Sequence, residues 1–179
     1  MNVHFTSDTH FGHQNIITFC NRPYTSVDQM DEDIINRWNR KVNEQDIVFH
    51  LGDFSFHKNF GRIKSILDRL NGKIVLLEGN HDMNMMWNHP RIQRAESDIC
   101  YRAFDNIRFV LCHYPLLEWD GAFRGAIHLH GHSHNNWPQT KYRRLDVGVD
   151  GHNMEPWSLD EILAWSQDRP FFDQEIYAI

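Results

Sequence analysis

Short apolar runs alternate with amphipathic stretches from Asn2 to Trp165, without repeats, low-complexity tracts or a Pro/Gly/Ser-rich linker. Asn2–Thr6 reads as a strand. Met30, Ile34, Ile35, Trp38 and Val42 recur at helical spacing and predict a helix over Asp28–Val42. Asp46–Leu51 (DIVFHL) reads as the next strand. Phe60–Leu70 reads as a helix with Ile63, Ile66, Leu67 and Leu70 on one face and Asn71-Gly72 as its stop signal. Lys73–Leu77 (KIVLL) comes next as a strand. After a less regular region, Ile99–Ala103, Arg108–Cys112, Ala126–Leu129 and Leu145–Val149 all read as strands. Ser158–Trp165 reads as a helix whose Ser158 and Glu161 have the spacing of a capping box. The early strand–helix order predicts right-handed β–α–β units, and the later surplus of strands predicts a mixed sheet or two sheets. With 179 residues, a single domain over residues 1–179 is expected.

Open α/β sheets bind ligands at the carboxyl ends of their strands, so the residues just beyond each apolar run carry the chemistry. The first run ends in Ser7-Asp8-Thr9-His10 and the second in Gly52-Asp53. The third runs into Gly79-Asn80-His81-Asp82, RFVLC ends at His113, and AIHL runs into His130-Gly131-His132-Ser133-His134. In an extended segment, residues two apart share a face. On that basis Asp8 and His10 converge on one ion, and His132 and His134 on one ion or two neighbouring ions. Gly52, Gly79 and Gly131 stand just before these groups, where the backbone turns tightly or approaches an ion. The candidate metal ligands are Asp8, His10, Asp53, Asn80, His113, His132 and His134. If Asp53 bridges, they give four contacts to each of two ions and leave room for a water or substrate oxygen.

Composition sharpens this picture. The chain is 41% hydrophobic and 23% charged, which excludes disordered and collagen-like classes. No run approaches the ~18 uncharged apolar residues of a membrane span, and MNVHFTSDTH lacks the regions of a signal peptide, so a cytoplasmic location and no membrane partner are expected. Cys20, Cys100 and Cys112 form no CxxC pair, which fits a reducing compartment and argues against a thiolate zinc site. The net charge of −6 disfavours extended nucleic acid, whose binding rests on many Lys/Arg–phosphate contacts. Thirteen histidines outnumber the ten glycines, and metal coordination heads the uses of so many imidazoles. Imidazole with carboxylate and one amide oxygen suits two divalent transition metal ions, whether manganese, iron, zinc, cobalt or nickel; the donor set does not rank them, and manganese is the ion expected first.

The series Asp8-x-His10, Gly52-Asp53, Gly79-Asn80-His81-Asp82, His113 and Gly131-His132-x-His134 resembles the calcineurin-like metallophosphoesterases, in the family's order and from residue 8 to 134. Each motif alone is weak; five in order, each at a strand end, are specific. The whole chain resembles the small single-domain bacterial and phage members. The resemblance implies an α/β sandwich of two mixed β-sheets flanked by helices, with a dimetal site at the sheet edge. It implies Asp8, His10, Asp53 and His134 on one ion and Asp53, Asn80, His113 and His132 on the other. It also implies His81 as the residue that binds phosphate or assists the leaving group, with Asp82 orienting its imidazole. Many members carry an acidic residue three positions after the bridging aspartate, where Phe56 stands here, with His57 as a substitute.

The expected function is therefore a metal-dependent phosphoesterase, a phosphodiesterase or phosphomonoesterase on a small nucleotide-like phosphate ester, working by in-line attack of a metal-bridging hydroxide. The alternatives are a non-catalytic metal-binding module of the same fold and a partner-dependent nuclease. His13 and Arg22 are candidates for contact with substrate phosphate, against a surface hydrogen bond or ion pair. Asp82 has a second reading as the cap of a turn. His128 and His130 share the parity of His132 and His134, and read equally as support for the site or as packed strand residues. Homo-oligomerisation through a sheet edge stays open.

Overall fold

The computed structural model describes residues 1–82, 88–137 and 140–173. Its first sheet has the order β4-β3-β2-β1-β9, with β1 Val3–Thr6, β2 Ile47–His50, β3 Lys73–Leu76, β4 Ile92–Arg94 and β9 Trp157–Ser158. The strands β1 to β4 are mutually parallel and β9 runs antiparallel to β1. The second sheet has the order β5-β6-β7-β8, with β5 Ile99–Phe104, β6 Ile107–Cys112, β7 Ile127–His130 and β8 Arg144–Asp146. Here β5 is antiparallel to β6, and the remaining pairs are parallel. The chain is thus an α/β structure of two mixed sheets flanked by helices.

Strand alternation builds two apolar layers. Phe5, Phe49 and Val75 of the first sheet, with Leu77 just beyond β3, meet Phe109, Leu111, Ile127, Leu129 and Leu145 of the second in one buried cluster. Phe5 lies in its middle, stacked between Phe49 and Phe109 at 5.5 and 5.8 Å. On the other face of the first sheet, Val48, Ile74 and Leu76 pack under the helices α1 Gln14–Phe19, α2 Val27–Lys41 and α3 Phe60–Arg69. The α2 helix starts where the Ser26 hydroxyl accepts the Gln29 amide, carries Asp28 in its first turn and ends on Arg40 and Lys41, each suited to the helix dipole. The capping box expected at Ser158 is present on α4, Leu159–Gln167.

Three local readings change. A short strand, Ile92–Arg94, sits where the sequence reads as irregular, and its burial is too slight to leave an apolar pattern. The strand expected over Leu145–Val149 stops at Asp146, and Val149–Gly151 turns as a 3-10 helix. Trp157 and Ser158 pair with β1 before the last helix begins. No helix among the described residues is long and apolar enough to cross a membrane.

Candidate metal centre

Beyond Thr6 the first strand gives way to left-handed backbone. Asp8 has φ 55° and His10 φ 50°, and Asp53, His132 and His134 also have positive φ. Asp and His tolerate this region better than most side chains. The shared-face argument from an extended chain is therefore corrected: Asp8 and His10 converge through a turn, as do His132 and His134 with φ 66° and 47°. The loops after β1 and β2 are laced together by the Asp8 amide on Gly52 O, the His10 amide on Asp53 O and the Phe11 amide on Phe54 O, at 3.0–3.1 Å. The His132 amide donates to Asp8 Oδ2 at 2.9 Å, joining the loop after β7 to the loop after β1.

Two groups of ligand-type atoms result. In Asp8, His10 and His134 one atom of each lies within 4.8 Å of the others, and the same holds for Asp53, His113 and His132. Asn80 joins the second group, its Oδ1 lying 3.0 Å from both His113 Nε2 and His132 Nδ1. Asp53 links the two: Oδ2 is 3.5 Å from His10 Nε2, and Oδ1 is 3.7 Å from His113 Nε2. All seven candidate ligands are thus brought together, with His132 and His134 in different groups.

Outer partners orient these side chains. His113 Nδ1 sits 2.7 Å from Leu51 O and donates to it, which leaves Nε2 with its lone pair toward Asn80 and Asp53. His134 Nδ1 donates to Asp150 Oδ2 at 2.8 Å, which leaves Nε2 as the nitrogen an ion would take in place of its proton. Asp8 Oδ1 and His10 Nε2, 4.0 Å apart, are buried without a hydrogen-bond partner, as is His10 Nδ1. Burial pushes the Asp8 carboxyl well above its ordinary range, with Asp146 and Asp53 adding to it. Burial, with His134 and Arg22, drives His10 far below the ordinary histidine value. Burial opposes the His134 imidazolium, but Asp150, Cys20 and Asp8 overcome it and push His134 up to about 10. Unpaired buried polar atoms carry a desolvation cost that a bound ion would offset, so the residues present fit a cation here.

The glycines have a physical reason that is packing against ligands. A Cβ on Gly131 would fall 2.0 Å from Ser7 Oγ and 2.4 Å from Asp8 Oδ2, and one on Gly79 would fall 2.3 Å from Asp53 N.

Several expectations are corrected. Arg22 is buried, and its guanidinium holds Asp150 through Nε and Nη2 at 2.7 and 2.9 Å, the ion-pair reading rather than a group offered to a phosphate. Asp82 does not orient the His81 imidazole. Its carboxylate accepts the backbone amides of Asp53, Phe54 and Gly79 at 2.8–2.9 Å, the turn-capping reading. His57 does not replace the missing acidic residue, because it lies under Gly12 and faces Asp31 at 3.6 Å. His81 is exposed, its ring 5.6 Å from His10 and 5.5 Å from Phe56. His13 stacks on Phe56 at 4.0 Å and lies 5.3 Å from His10. The sequence reading missed Asp150. Cys20 also approaches His134 and Asp150 within 4.8 Å, but the Arg22 guanidinium already occupies both Asp150 oxygens as their cation.

His128 and His130 are buried strand residues. The Leu116 amide donates to His128 Nε2 at 2.9 Å, so Nδ1–H donates to Val110 O at 2.9 Å, and burial pushes His128 down to about 3. His50 donates to the Thr9 hydroxyl at 3.0 Å because that hydroxyl gives its own proton to Phe54 O, and burial lowers His50 to about 3. Unfolded, both imidazoles take up a proton near pH 6.5; folded, neither does until about pH 3. Stability should therefore fall as pH drops from 6.5 toward 3, by about 1.4 kcal/mol per pH unit for each histidine. Urea midpoints between pH 7 and 5 check this, and a His128→Gln chain should show the shallower slope whatever its absolute stability.

No protein-family model matches the chain. The Gene 66 protein of Mycobacterium phage D29 is 28% identical, over 93% of this chain and 96% of its own. The crystal structure of the protein of unknown function AQ665 from Aquifex aeolicus, 22% identical, covers 92% of this chain and 98% of that one with a TM-score of 0.74, and so shares the fold. The uncharacterized protein MJ1445 of Methanocaldococcus jannaschii is 35% identical over 168 residues, 90% of this chain and 89% of its own. The chain belongs to the family of that protein.

Proposed function

We propose that the protein hydrolyses small phosphate esters at a two-cation centre of the calcineurin-like metallophosphoesterase type. The observation that carries this reading is Asp53, with one carboxylate oxygen turned toward His10 and the other toward His113. Asp8, His10, Asp53 and His134 would hold one divalent ion, and Asp53, Asn80, His113 and His132 the other. Such a pair supplies charge neutralisation for phosphoryl oxygens and lowers the pKa of a water toward 7. Manganese, iron, zinc, cobalt and nickel all suit the donor set.

The chain's own residues do the rest. Asp53 fixes the spacing of the two groups, and its Oδ1 accepts the His81 amide at 2.9 Å, which ties His81 to the bridge. The exposed His81 imidazole beside His10 supports a role in handing a proton to the departing alcohol oxygen, help that contributes typically ~10²–10⁴-fold. His13 and Phe56 stack on one another beside His81. With Arg22 engaged inside the protein, no guanidinium fork from that residue reaches a polyanion, in keeping with a small substrate.

The test is metal content and turnover together. The chain loaded with Mn²⁺ should hold two ions and hydrolyse at least one member of a panel of mononucleotides, cyclic nucleotides, sugar phosphates and a chromogenic phosphodiester. Two bound ions without turnover would favour a non-catalytic metal-binding module. His81→Ala should keep both ions and lose ~10²–10⁴ in rate, most with poor leaving groups. A loss independent of leaving-group pKa would remove the acid role.

A further inference from the structure

Resting on the two-ion reading, we infer that Arg22 and Asp150 are positioning residues for one ion site only, so that the two sites are supported separately and one is lost without the other. Every N–H of the Arg22 guanidinium is used inside the protein. Nε donates to Asp150 Oδ1 and Nη2 to Asp150 Oδ2. Nη2 also donates to Asp8 O at 2.7 Å, and Nη1 to Thr9 O at 3.0 Å and Met30 Sδ at 3.4 Å. The carbonyls of Asp8 and Thr9 belong to the left-handed turn that aims Asp8 and His10. Asp150 passes the same support to His134, whose Nδ1–H it accepts. One buried cation thus sets all three members of the Asp8–His10–His134 group.

The other group rests on different partners. His113 is oriented by Leu51 O, and the loops carrying Asp53 and Asn80 are tied by Asp82. None of these contacts involves Arg22 or Asp150; the ties back to the first group are the His132 amide on Asp8 Oδ2 and the shared Asp53 carboxylate. A carboxylate hydrogen-bonded to a ligating histidine fixes its tautomer and raises its basicity, and losing such a partner typically costs ~10–100-fold in metal affinity.

Titration of the full chain with Mn²⁺ against a competing chelator tests this. Wild type should bind two ions. Asp150→Asn, which keeps the size but removes the charge, should weaken one ion by ~10–100-fold and leave the other unchanged. At limiting Mn²⁺ its spin-coupled two-manganese EPR signal should give way to that of a single ion. Asp150→Glu, which keeps the charge, should restore part of the loss. Should Asp150→Asn fail to fold, Arg22→Lys serves, since one ammonium cannot span two carboxylate oxygens and two carbonyls. Unchanged affinities in the substituted chain, or both ions weakened together, would overturn the inference while leaving the two-ion reading intact. A wild-type chain that binds no ion would overturn that reading itself, and this inference with it.

Discussion

Replacing Asp53 should remove both ions and all phosphoester turnover in one step. Its two oxygens face different groups, 3.5 Å from His10 and 3.7 Å from His113, so neither group keeps its shared carboxylate. Asp53→Asn is the sharper variant. Asn tolerates the φ of 55° that Ala would strain, and its amide oxygen can still accept the His81 amide, so the fold survives. It nevertheless offers one neutral oxygen where two charged ones stood. Metal analysis and turnover should both fall to background in Asp53→Asn, with the thermal unfolding of the metal-free chain little changed. An active Asp53→Asn chain that still carried two ions would refute the bridge. Asp8→Asn, which keeps an oxygen for the His132 amide, should weaken only the ion of the His10–His134 group, and the contrast separates a shared ligand from an ordinary one.

Much of this architecture was legible because the sequence writes it in apolar periodicity. Met30, Ile34, Ile35 and Trp38 read as one buried helix face and are one. The candidate ligands were legible because their residue types gather at strand ends. Their mode of convergence was not, since Asp8, His10, His132 and His134 meet through left-handed turns that no two-residue periodicity encodes. Partner choice was equally hidden. Arg22 has the residue type of a phosphate contact, yet its partner Asp150 lies 128 residues away and arrives only through folding. His57 failed as a substitute for the same reason: Asp31, on α2, comes near it only in three dimensions. Asp82 sits next to His81 in sequence, but backbone amides from two loops compete for its carboxylate and take it.

Asp82 therefore makes a prediction opposite to that of a histidine-orienting acid. Its Oδ2 accepts both the Asp53 and Gly79 amides and its Oδ1 the Phe54 amide. One carboxylate thereby pins the loop after β2 to the loop after β3, with Asp53 on one side and Asn80 on the other. Asp82→Ala removes all three acceptors at once. At about 1–3 kcal/mol for each buried donor left unpaired, a loss of roughly 2–6 kcal/mol is expected, allowing for water reaching one of the three. Against the 5–15 kcal/mol of a typical domain this is a large fraction. Denaturant midpoints of the metal-free chain should show it, and hydrogen exchange should speed up at the amides of Asp53, Phe54 and Gly79. An acid that only oriented His81 would leave stability and exchange unchanged, and would alter turnover chiefly for poor leaving groups. Loosening the Asp53 and Asn80 loops instead weakens metal binding whatever the leaving group, so the two roles predict different things in every one of these measurements.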